Sequence, residues 1–336
     1  METMHKLYLE KFRPTADITQ RYYKGRKIAL YGDSQYLREL LKEEYNINVD
    51  LIVTGVQKNV AEGITLIDDL KGKSDTYYII VPYLKSDVKT KRKLKSLGYT
   101  KFKDFVFTKH KKVTLPIGFG DYNDEYGNHI HCTGCKVLLD EEAGNVNIIV
   151  HDTANLKGDT LIHVKGFNST VVIGENCRLP SCVISLCSNT ALSIGEKTTF
   201  GLNCHINISH NESVYIGNDC MFSHDITILA GDGHPIFDVH TGKRTNLPSG
   251  INNQNYSIKI QDHVWVGMQS TILKCSVGRS SIIGACSFVK GKIPNNCIAA
   301  GIPAKVIKKD ITWARENLCE DISLCGEENI ALTEDF

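Results

Sequence analysis

The strongest constraint in this chain is a six-residue repeat that runs from Ile258 to Lys309. Aliphatic residues recur along it at a spacing of six with one exception, and a glycine directly follows three of them. The aliphatic positions are Ile260, Val266, Ile272, Val277, Ile283 and Val289, and the glycines are Gly267, Gly278 and Gly284. A period of six fits neither a helix nor an alternating strand, and short repeats of this kind are typical of a solenoid of parallel strands. We expect each hexad to form one side of a triangular coil, with its aliphatic residue pointing into the axis.

Three segments of this repeat carry a family resemblance: DHVWVG at Asp262–Gly267, IIGACSFVKG at Ile282–Gly291 and AAGIPAKVIKK at Ala299–Lys309. They resemble the closing coils of the hexapeptide-repeat acyltransferases, which fold as a left-handed parallel β-helix and commonly use acetyl-CoA. The left hand is implied by the resemblance alone, because the general rule for parallel crossovers favours the right hand.

Two irregularities in the repeat predict local departures from ideal coils. The step from Ile272 to Val277 is five residues, so one side of a coil is expected to be a residue short or locally bulged. Earlier, Ile173 and Ile194 are 21 residues apart and Ile194 and Ile216 are 22, against about 18 for a coil of three hexads. We assign these stretched coils to the same solenoid, so that the predicted β-helix spans 113–309 and is followed by a tail over 310–336.

The first third of the chain has a different pattern. Residues 1–24 read as a partly helical arm, and 25–112 as a small Rossmann-like α/β domain with strands near 27–31, 49–53 and 76–83 and helices ending near Tyr45 and Tyr99. Only Gly32 stands where a dinucleotide fingerprint needs three glycines, so NAD binding is not expected. The segment resembles in outline the nucleotide-sugar domain of some sugar acyltransferases, and a packing or trimer-stabilising role remains equally open.

Composition limits the classes of ligand that this protein is expected to bind. The formal net charge of +1 over 336 residues argues against nucleic acid or an anionic membrane surface as a ligand. No apolar run resembles a signal peptide or a membrane span, so we expect a cytoplasmic protein that acts on a small molecule or sugar. Of the 12 cysteines, most lie in the repeat and are expected to fill the narrow coil interior. The grouping HIHCTGC over 129–135 is a weak zinc signal, and we predict a polar turn with no metal.

The chemistry is expected in a loop over 231–256, the His234 loop, which is rich in Gly, Pro and Asn. GDGHPIFD, a following TGKR and DHVWVG resemble the polysaccharide and sugar O-acetyltransferases, in which the matching histidine is the catalytic base; here it is His234. Imidazole is well suited to take a hydroxyl proton near neutral pH. Asp232 lies two residues away and would share a face with His234 in an extended segment, so it is the first candidate to orient the imidazole, with Asp225 and Asp219 as alternatives.

The same resemblance implies a groove for the pantetheine arm of acetyl-CoA between coils of neighbouring subunits, in a homotrimer with three sites. The residues assigned to this donor site are Trp265, Gly267, Gly284, Ala285, Ser287, Lys305 and Lys308, with Lys309 as a further candidate for the phosphates. Small residues would permit close backbone approach, and the lysines would meet the phosphates.

Together these features predict an acetyl-CoA-dependent O-acetyltransferase acting on a sugar hydroxyl of a surface polysaccharide or its precursor. Two alternatives stay open. One is an N-acetyltransferase of a nucleotide-linked amino sugar, which the α/β domain would suit. The other is a β-helix scaffold without catalysis, against which the presence of His234 argues.

Overall fold

The fold is taken from a computed structural model that describes residues 13, 15–32, 35–55, 63–81, 87–107, 112–124, 126–141, 143–156, 158–246, 257–316, 318 and 320–334. Parts of five predicted segments lie outside these residues: 1–12 and 14 of the arm, the turn at 33–34, the end of the strand at 82–83, 247–256 of the His234 loop, and 317, 319 and 335–336 of the tail. The chain divides into two units, Met1–Lys111 with Asp124–Gly127, and Lys112–Asn123 with Asn128–Phe336.

The first unit is built on a parallel sheet of five strands in the order β3-β2-β1-β4-β5. Its elements are a helical segment at 15–22, β1 (Lys27–Tyr31), α1 (Gln35–Tyr45), β2 (Leu51–Thr54), β3 (Ile64–Leu66), a 3-10 turn (Ile67–Leu70), β4 (Tyr77–Val81), α2 (Asp87–Ser96) and β5 (Phe105–Phe107). Leu40 and Leu41 of α1 are buried against one face of the sheet, and Leu94 of α2 is buried against the other. The predicted Rossmann-like arrangement is therefore present.

The second unit is a solenoid. Its strands are β6 (Val113–Leu115), β7 (Gly120–Asn123), β8 (His129–Cys132), β9 (Lys136–Leu139), β10 (Asn147–Val150), β11 (Leu161–Val164), β12 (Ser169–Ile173), β13 (Cys182–Leu186), β14 (Thr190–Ile194), β15 (Thr199–Phe200), β16 (Cys204–Ile208), β17 (Ser213–Ile216), β18 (Met221–Phe222), β19 (Thr227–Ala230), β20 (Ile258–Ile260), β21 (Trp265–Val266), β22 (Thr271–Val277), β23 (Ile282–Ile283), β24 (Phe288–Ile293), β25 (Ile298–Gly301) and β26 (Ala304–Lys308). From β13 to β19 each strand pairs in parallel with the strand three places later, so three consecutive strands form one triangular coil. Antiparallel pairs open and close the stack.

The interior of the solenoid is a set of stacked columns, because each strand places alternate side chains inward. One column of fully buried side chains runs through six successive coils: Ile162, Ile184, Ile206, Ile228, Ile272 and Val289. Most cysteines lie in the interior as well, and burial raises the pKa of the Cys220 thiol to about 12. Two repeat cysteines depart from the prediction, since Cys187 is half-buried and Cys286 is exposed at a corner.

The corners explain the stretched coils. Paired residues in β11, β13, β16 and β19 are 22 apart, whereas those in β22 and β24 are 17 apart where the two strands begin to pair. The extra residues of the longer coils form turns with left-handed residues at their tips, and at one corner these are asparagines whose amides bond from coil to coil. They are Asn145, Asn168, Asn189 and Asn211, with φ between 52° and 61°. Asparagine tolerates this conformation better than most residues, which suits it to a repeated tight corner.

The glycines of the hexad repeat serve a different purpose. Gly267 has no left-handed φ, but a Cβ there would lie 2.6 Å from the backbone nitrogen of Ala285 in the next coil. Such a contact forces a backbone shift, so the repeat needs glycine for close stacking of coils and not for a special turn.

The tail does not stand apart from the solenoid. Ile311 donates its backbone N–H to the carbonyl of Asn296 (3.0 Å), and the amide of Asn296 donates to the carbonyls of Ile311 (3.0 Å) and Asn329 (2.8 Å). The segment after Asp310 therefore belongs to the second unit. Among the described residues, no helix is both long and apolar enough to cross a membrane.

Candidate active site on the His234 loop

The His234 loop leaves the solenoid at one corner and returns to the same corner. It starts after β19 and ends before β20, and it doubles the residue spacing between paired strands there, since Val214 in β17 pairs with Ile258, 44 residues later. The loop is an insertion into an otherwise regular 22-residue coil. It therefore extends from the solenoid without interrupting the stacking of the coils.

The described part of the loop contains a small hairpin. Phe237 and Arg244 form an antiparallel bridge, and the N–H of Asp238 donates to the carbonyl of Lys243 (2.9 Å). The Asp238 carboxylate accepts hydrogen bonds across the turn, foremost from the backbone N–H of Thr241 (2.7 Å), which lowers the pKa of Asp238. The loop therefore has its own local order over 236–245.

His234 stands at the base of this hairpin and is exposed. In the described part of the chain its imidazole has no hydrogen-bond or ion-pair partner. Its backbone is held on both sides instead, because its N–H donates to the carbonyl of Asp232 (2.9 Å) and its carbonyl accepts from the side-chain amide of Asn246 (2.8 Å). The arrangement fixes the position of the residue and leaves both ring nitrogens free for a substrate.

Asp232 is near His234 but makes other contacts. Its carboxylate accepts from the amide of Asn246 (3.0 Å) and from the ammonium of Lys274 (3.1 Å), and these two hydrogen bonds lower the pKa of Asp232. No hydrogen bond links the Asp232 and His234 side chains in the described part of the chain. The predicted shared face assumed an extended segment, whereas Gly233, between the two residues, has a φ of +75° and turns the chain there.

Lys274 reaches the loop from a bulge in β22. Ile272 pairs with Val289 and Cys275 with Gly291, so β22 has one residue more than its partner between these pairs, and Lys274 there has a φ of +39°. Such an extra residue bends a strand and redirects a side chain. This is the site of the five-residue step in the repeat, and the structure resolves it as a bulge that turns β22 around the corner.

Trp265 lies on another side of the coil, in β21, and is 37% exposed. Its ring centroid is 6.0 Å from that of Trp313, which comes from the tail and is buried. Trp313 stacks on the ring of His263 at 4.1 Å, and its indole N–H donates to the His263 carbonyl (2.8 Å). One face of Trp265 is thus backed by a rigid aromatic pair.

The remaining residues assigned to the donor site fall into two groups. Ala285 is exposed. Gly267 and Gly284 lie close against the next coil, and a Cβ on Gly284 would lie 2.8 Å from the Cβ of Ala300. Ser287 is buried, and its hydroxyl accepts from the N–H of Gly301 (3.2 Å), so it shapes the coil from inside.

The two assigned lysines are at the end of the solenoid. Lys305 and Lys308 belong to β26, which runs antiparallel to β25, and both are exposed. An exposed edge of this kind can present two ammonium groups to an anion.

In the HIHCTGC segment, His131 and Cys132 point to opposite sides of β8, because side chains alternate along a strand. His131 faces outward and bonds Asp121 (2.7 Å), while Cys132 and Cys135 are buried with their sulfurs 3.5 Å apart. Within the described ranges there is no group of three or more His, Cys, Asp or Glu side chains suited to a metal ion.

Comparison with known proteins decides the family. No protein-family model matches the chain. A polysialic acid O-acetyltransferase of Neisseria meningitidis is 33% identical over 199 residues, covering 52% of this chain and 89% of that protein. The chain belongs to the hexapeptide-repeat acetyltransferases.

Other members of the family agree. The crystal structure of a polysialic acid-specific acetyltransferase superposes with a TM-score of 0.50 at 34% identity, covering 55% of this chain and 82% of that one. A polysialic acid O-acetyltransferase of Escherichia coli O1:K1 / APEC is 37% identical over 168 residues; the match spans 49% of this chain and only about half, 52%, of that protein. The predicted family, the left-handed β-helix and the acyltransferase class are confirmed.

Within this family fold, the role of His234 stays a prediction, and sequence reasoning missed the residues that hold its backbone. Lys274 and Asn246 are 42 and 14 residues from Asp232, and no motif connects them. The five-residue step did indicate an irregular corner, and a lysine at an irregular corner beside a long insertion is the one signal that could have identified Lys274. Trp313 lay in a tail without repeats and left no such signal.

Proposed function

We propose that this protein transfers an acetyl group from acetyl-CoA to a hydroxyl of a surface polysaccharide or its precursor, with His234 as the general base. The observation that carries the proposal is the exposed imidazole of His234, whose two nitrogens have no partner among the described residues, on a backbone held by Asp232 and Asn246. A base that is fixed in place but unpaired is ready to accept a substrate proton.

The steps follow from this placement. The imidazole takes the proton of the sugar hydroxyl as the oxygen attacks the thioester carbonyl carbon of acetyl-CoA. The C–S bond then breaks, and the imidazolium returns its proton to the departing sulfur, so that the products are an acetyl ester and the CoA thiol. In this scheme Asp232 acts through the backbone of His234 and not on its ring.

For the donor, we propose a groove bordered by Trp265 and Ala285. The small residues Gly267, Gly284 and Ser287 would let the donor approach the backbone of the coils. Lys305 and Lys308 would meet the phosphates, since both ammonium groups are exposed on the closing strand. As the sequence predicted, three copies would form the assembly; the exposed Leu202 and Met268, each 49% accessible, support a lateral contact. The cytoplasmic location stays a prediction.

For the acceptor, we propose an acidic sugar of the sialic acid type. The relatives are named for polysialic acid. In this chain the loop carries Lys243 and Arg244, and the positive charge of Lys290 contributes to lowering the pKa of Asp232, which puts Lys290 at the same corner. Cations around the base suit a sugar that carries a carboxylate.

The test is a transfer assay with acetyl-CoA and two acceptors, an oligomer of sialic acid and a neutral galactoside, read by thiol release and by mass. We expect a base-labile acetyl ester on the acidic acceptor. His234→Ala should lower turnover by roughly 100- to 10,000-fold without changing the melting temperature. A base-stable amide on an amino sugar would show an N-acetyltransferase, and no transfer to any acceptor would leave the scaffold alternative.

A further inference from the structure

The two ends of the His234 loop meet around a single lysine, Lys274. Its side chain is 24% exposed, and its ammonium lies 3.1 Å from a carboxylate oxygen of Asp232 at the start of the loop. The same ammonium lies 3.9 Å from a carboxylate oxygen of Glu212, whose side chain is only 2% exposed. One cation thus bridges a loop carboxylate and a solenoid carboxylate.

Glu212 extends the contact to the other end of the loop. Its second carboxylate oxygen accepts a hydrogen bond from the hydroxyl of Ser257, the first described residue after the loop. The Ser257 hydroxyl in turn accepts from the backbone N–H of Ser213 (3.0 Å). The return of the chain to the solenoid is therefore tied to the carboxylate that Lys274 faces.

Asp232 transmits the position of Lys274 to His234. The amide nitrogen of Asn246 donates both to Asp232 (3.0 Å) and to the carbonyl of His234 (2.8 Å), and its oxygen accepts from the N–H of Ile236 (2.7 Å). Asn246 thus links the carboxylate of Asp232, which Lys274 holds, to the backbone of His234.

The loop also passes close to the solenoid where it starts. A Cβ on Gly231 would lie 2.6 Å from the Cβ of Ser209, so the chain is in tight contact with the preceding coil. Beyond this point the side chains of Ile236, Phe237 and Val239 are more than half exposed, so they bury little apolar surface against the described residues. Polar anchors at the base therefore decide where His234 stands.

We propose that Lys274 is a positioning residue for His234: it holds both ends of the loop through Asp232 and Glu212, and so places the general base. The inference rests on the proposed role of His234. A misplacement of a reacting group by about 1 Å can cost on the order of 100-fold in rate, which sets the scale of the effect.

The experiment compares Lys274→Ala, Lys274→Arg and Lys136→Ala in the full-length chain. Lys136 is an exposed strand lysine far along the solenoid and is the matched control. We expect Lys274→Ala to lower kcat by roughly 10- to 100-fold with an unchanged KM for acetyl-CoA. Lys274→Arg should recover most of the rate, because a guanidinium can pair with the same carboxylate. Lys136→Ala should behave as wild type.

A second readout does not depend on activity. Lys243 and Arg244 are tryptic sites within the hairpin, so cleavage after Arg244 should be roughly 10-fold faster or more in Lys274→Ala than in wild type and in Lys136→Ala. Asp232→Asn removes the charge while keeping the shape, and it should lower kcat by no more than Lys274→Ala does, because the contact of Lys274 with Glu212 remains. The double variant should be no worse than Lys274→Ala, because that variant already removes the contact with Asp232.

The outcomes separate this inference from the proposed function. If His234→Ala keeps its activity, the proposed base is wrong whatever Lys274 does. If His234→Ala is inactive while Lys274→Ala keeps wild-type kcat and protease resistance, the positioning role is wrong. Additive losses in the double variant would likewise overturn it, since Lys274 would then act on the substrate and not through Asp232. Should Lys274→Ala fail to fold, Asp232→Asn with intact activity would refute the proposal.

Discussion

Two segments of the second unit lie outside its regular coils, the His234 loop and the tail, and they are held in opposite ways. The His234 loop exposes its apolar side chains, including Phe237 at 58% and Val239 at 89%, and is anchored by polar contacts at its base. In the tail, Trp313 is buried, with 6% of it exposed, and two hydrogen bonds with His263 hold it in place. The loop is placed by a few directed bonds, whereas the tail is packed into the structure.

Arg315 adds further contacts that hold the tail. Its guanidinium contacts the Asp219 carboxylate at 2.5 Å and the carbonyl of Cys220 at 2.9 Å, and Asp219 also bonds His263 at 2.7 Å. The difference between the two segments teaches that substitutions in the tail should reduce stability, while substitutions in the loop should reduce activity. The predictions below extend this contrast to the coils and to the closing strand.

The largest effect on stability is expected from Trp313→Ala. Removing the buried tryptophan side chain leaves a cavity and takes the indole N–H away from the His263 carbonyl, which should cost about 3–5 kcal/mol in the free energy of unfolding. Urea titration followed by circular dichroism measures it. The matched control is Trp265→Ala, which removes a side chain that is 37% exposed and should cost less. Equal losses in both variants would contradict the difference in burial.

Gly267→Ala should be next. The added Cβ would meet backbone atoms of Ala285 at 2.6 and 2.9 Å, and overpacking of this kind costs about 1–3 kcal/mol. Gly242 in the His234 loop has a φ of +64° and open space around it, so Gly242→Ala should cost only about 1 kcal/mol, from backbone strain. Thermal unfolding of both variants ranks them, and the reverse order would show that the loop is more tightly built than the coil.

Acid should release the tail over a defined pH range. Burial alone would raise the pKa of Asp219, but hydrogen bonds from His263 and Arg315 outweigh it and lower the pKa. The stability from Asp219 is therefore present above the unfolded pKa of about 3.9 and is lost as pH falls through the lower folded value. The chain has 2 tryptophans, so Trp265→Phe leaves Trp313 as the fluorescent reporter. Its emission should shift to the red below about pH 4, and a shift complete at pH 5 would point to another group.

The smallest effect is expected from Lys305→Ala. An exposed lysine that meets a phosphate contributes about 1 kcal/mol or less, so the KM for acetyl-CoA should rise up to about fivefold. The increase should be larger at low salt, because screening weakens such contacts, and kcat should not change. Steady-state kinetics at two ionic strengths measures both constants. A fall in kcat with constant KM would show that the phosphates of acetyl-CoA bind elsewhere.

Much of the fold was predictable because it depends on short-range patterns. The spacing of Ile260, Val266 and Ile272 indicated a coil, since each strand needs only its own alternation to turn aliphatic side chains inward. His234 was predictable through its motif. The pairing of Asp232 with its ring stays a prediction, and the extended segment from which it was inferred is not present, because Gly231 and Gly233 turn the chain.

By itself, then, the sequence determined the solenoid, the α/β unit before it, and the histidine at which chemistry is proposed. Tertiary structure alone decided that Lys274 meets Asp232 and Glu212, and that Trp313 stacks on His263. The physical reason is that a repeat specifies which side of each strand faces the axis, a property of neighbouring residues. Which side chains meet depends on how many residues each turn inserts between coils, and partners such as Arg315 and Asp219 are 96 residues apart in the chain.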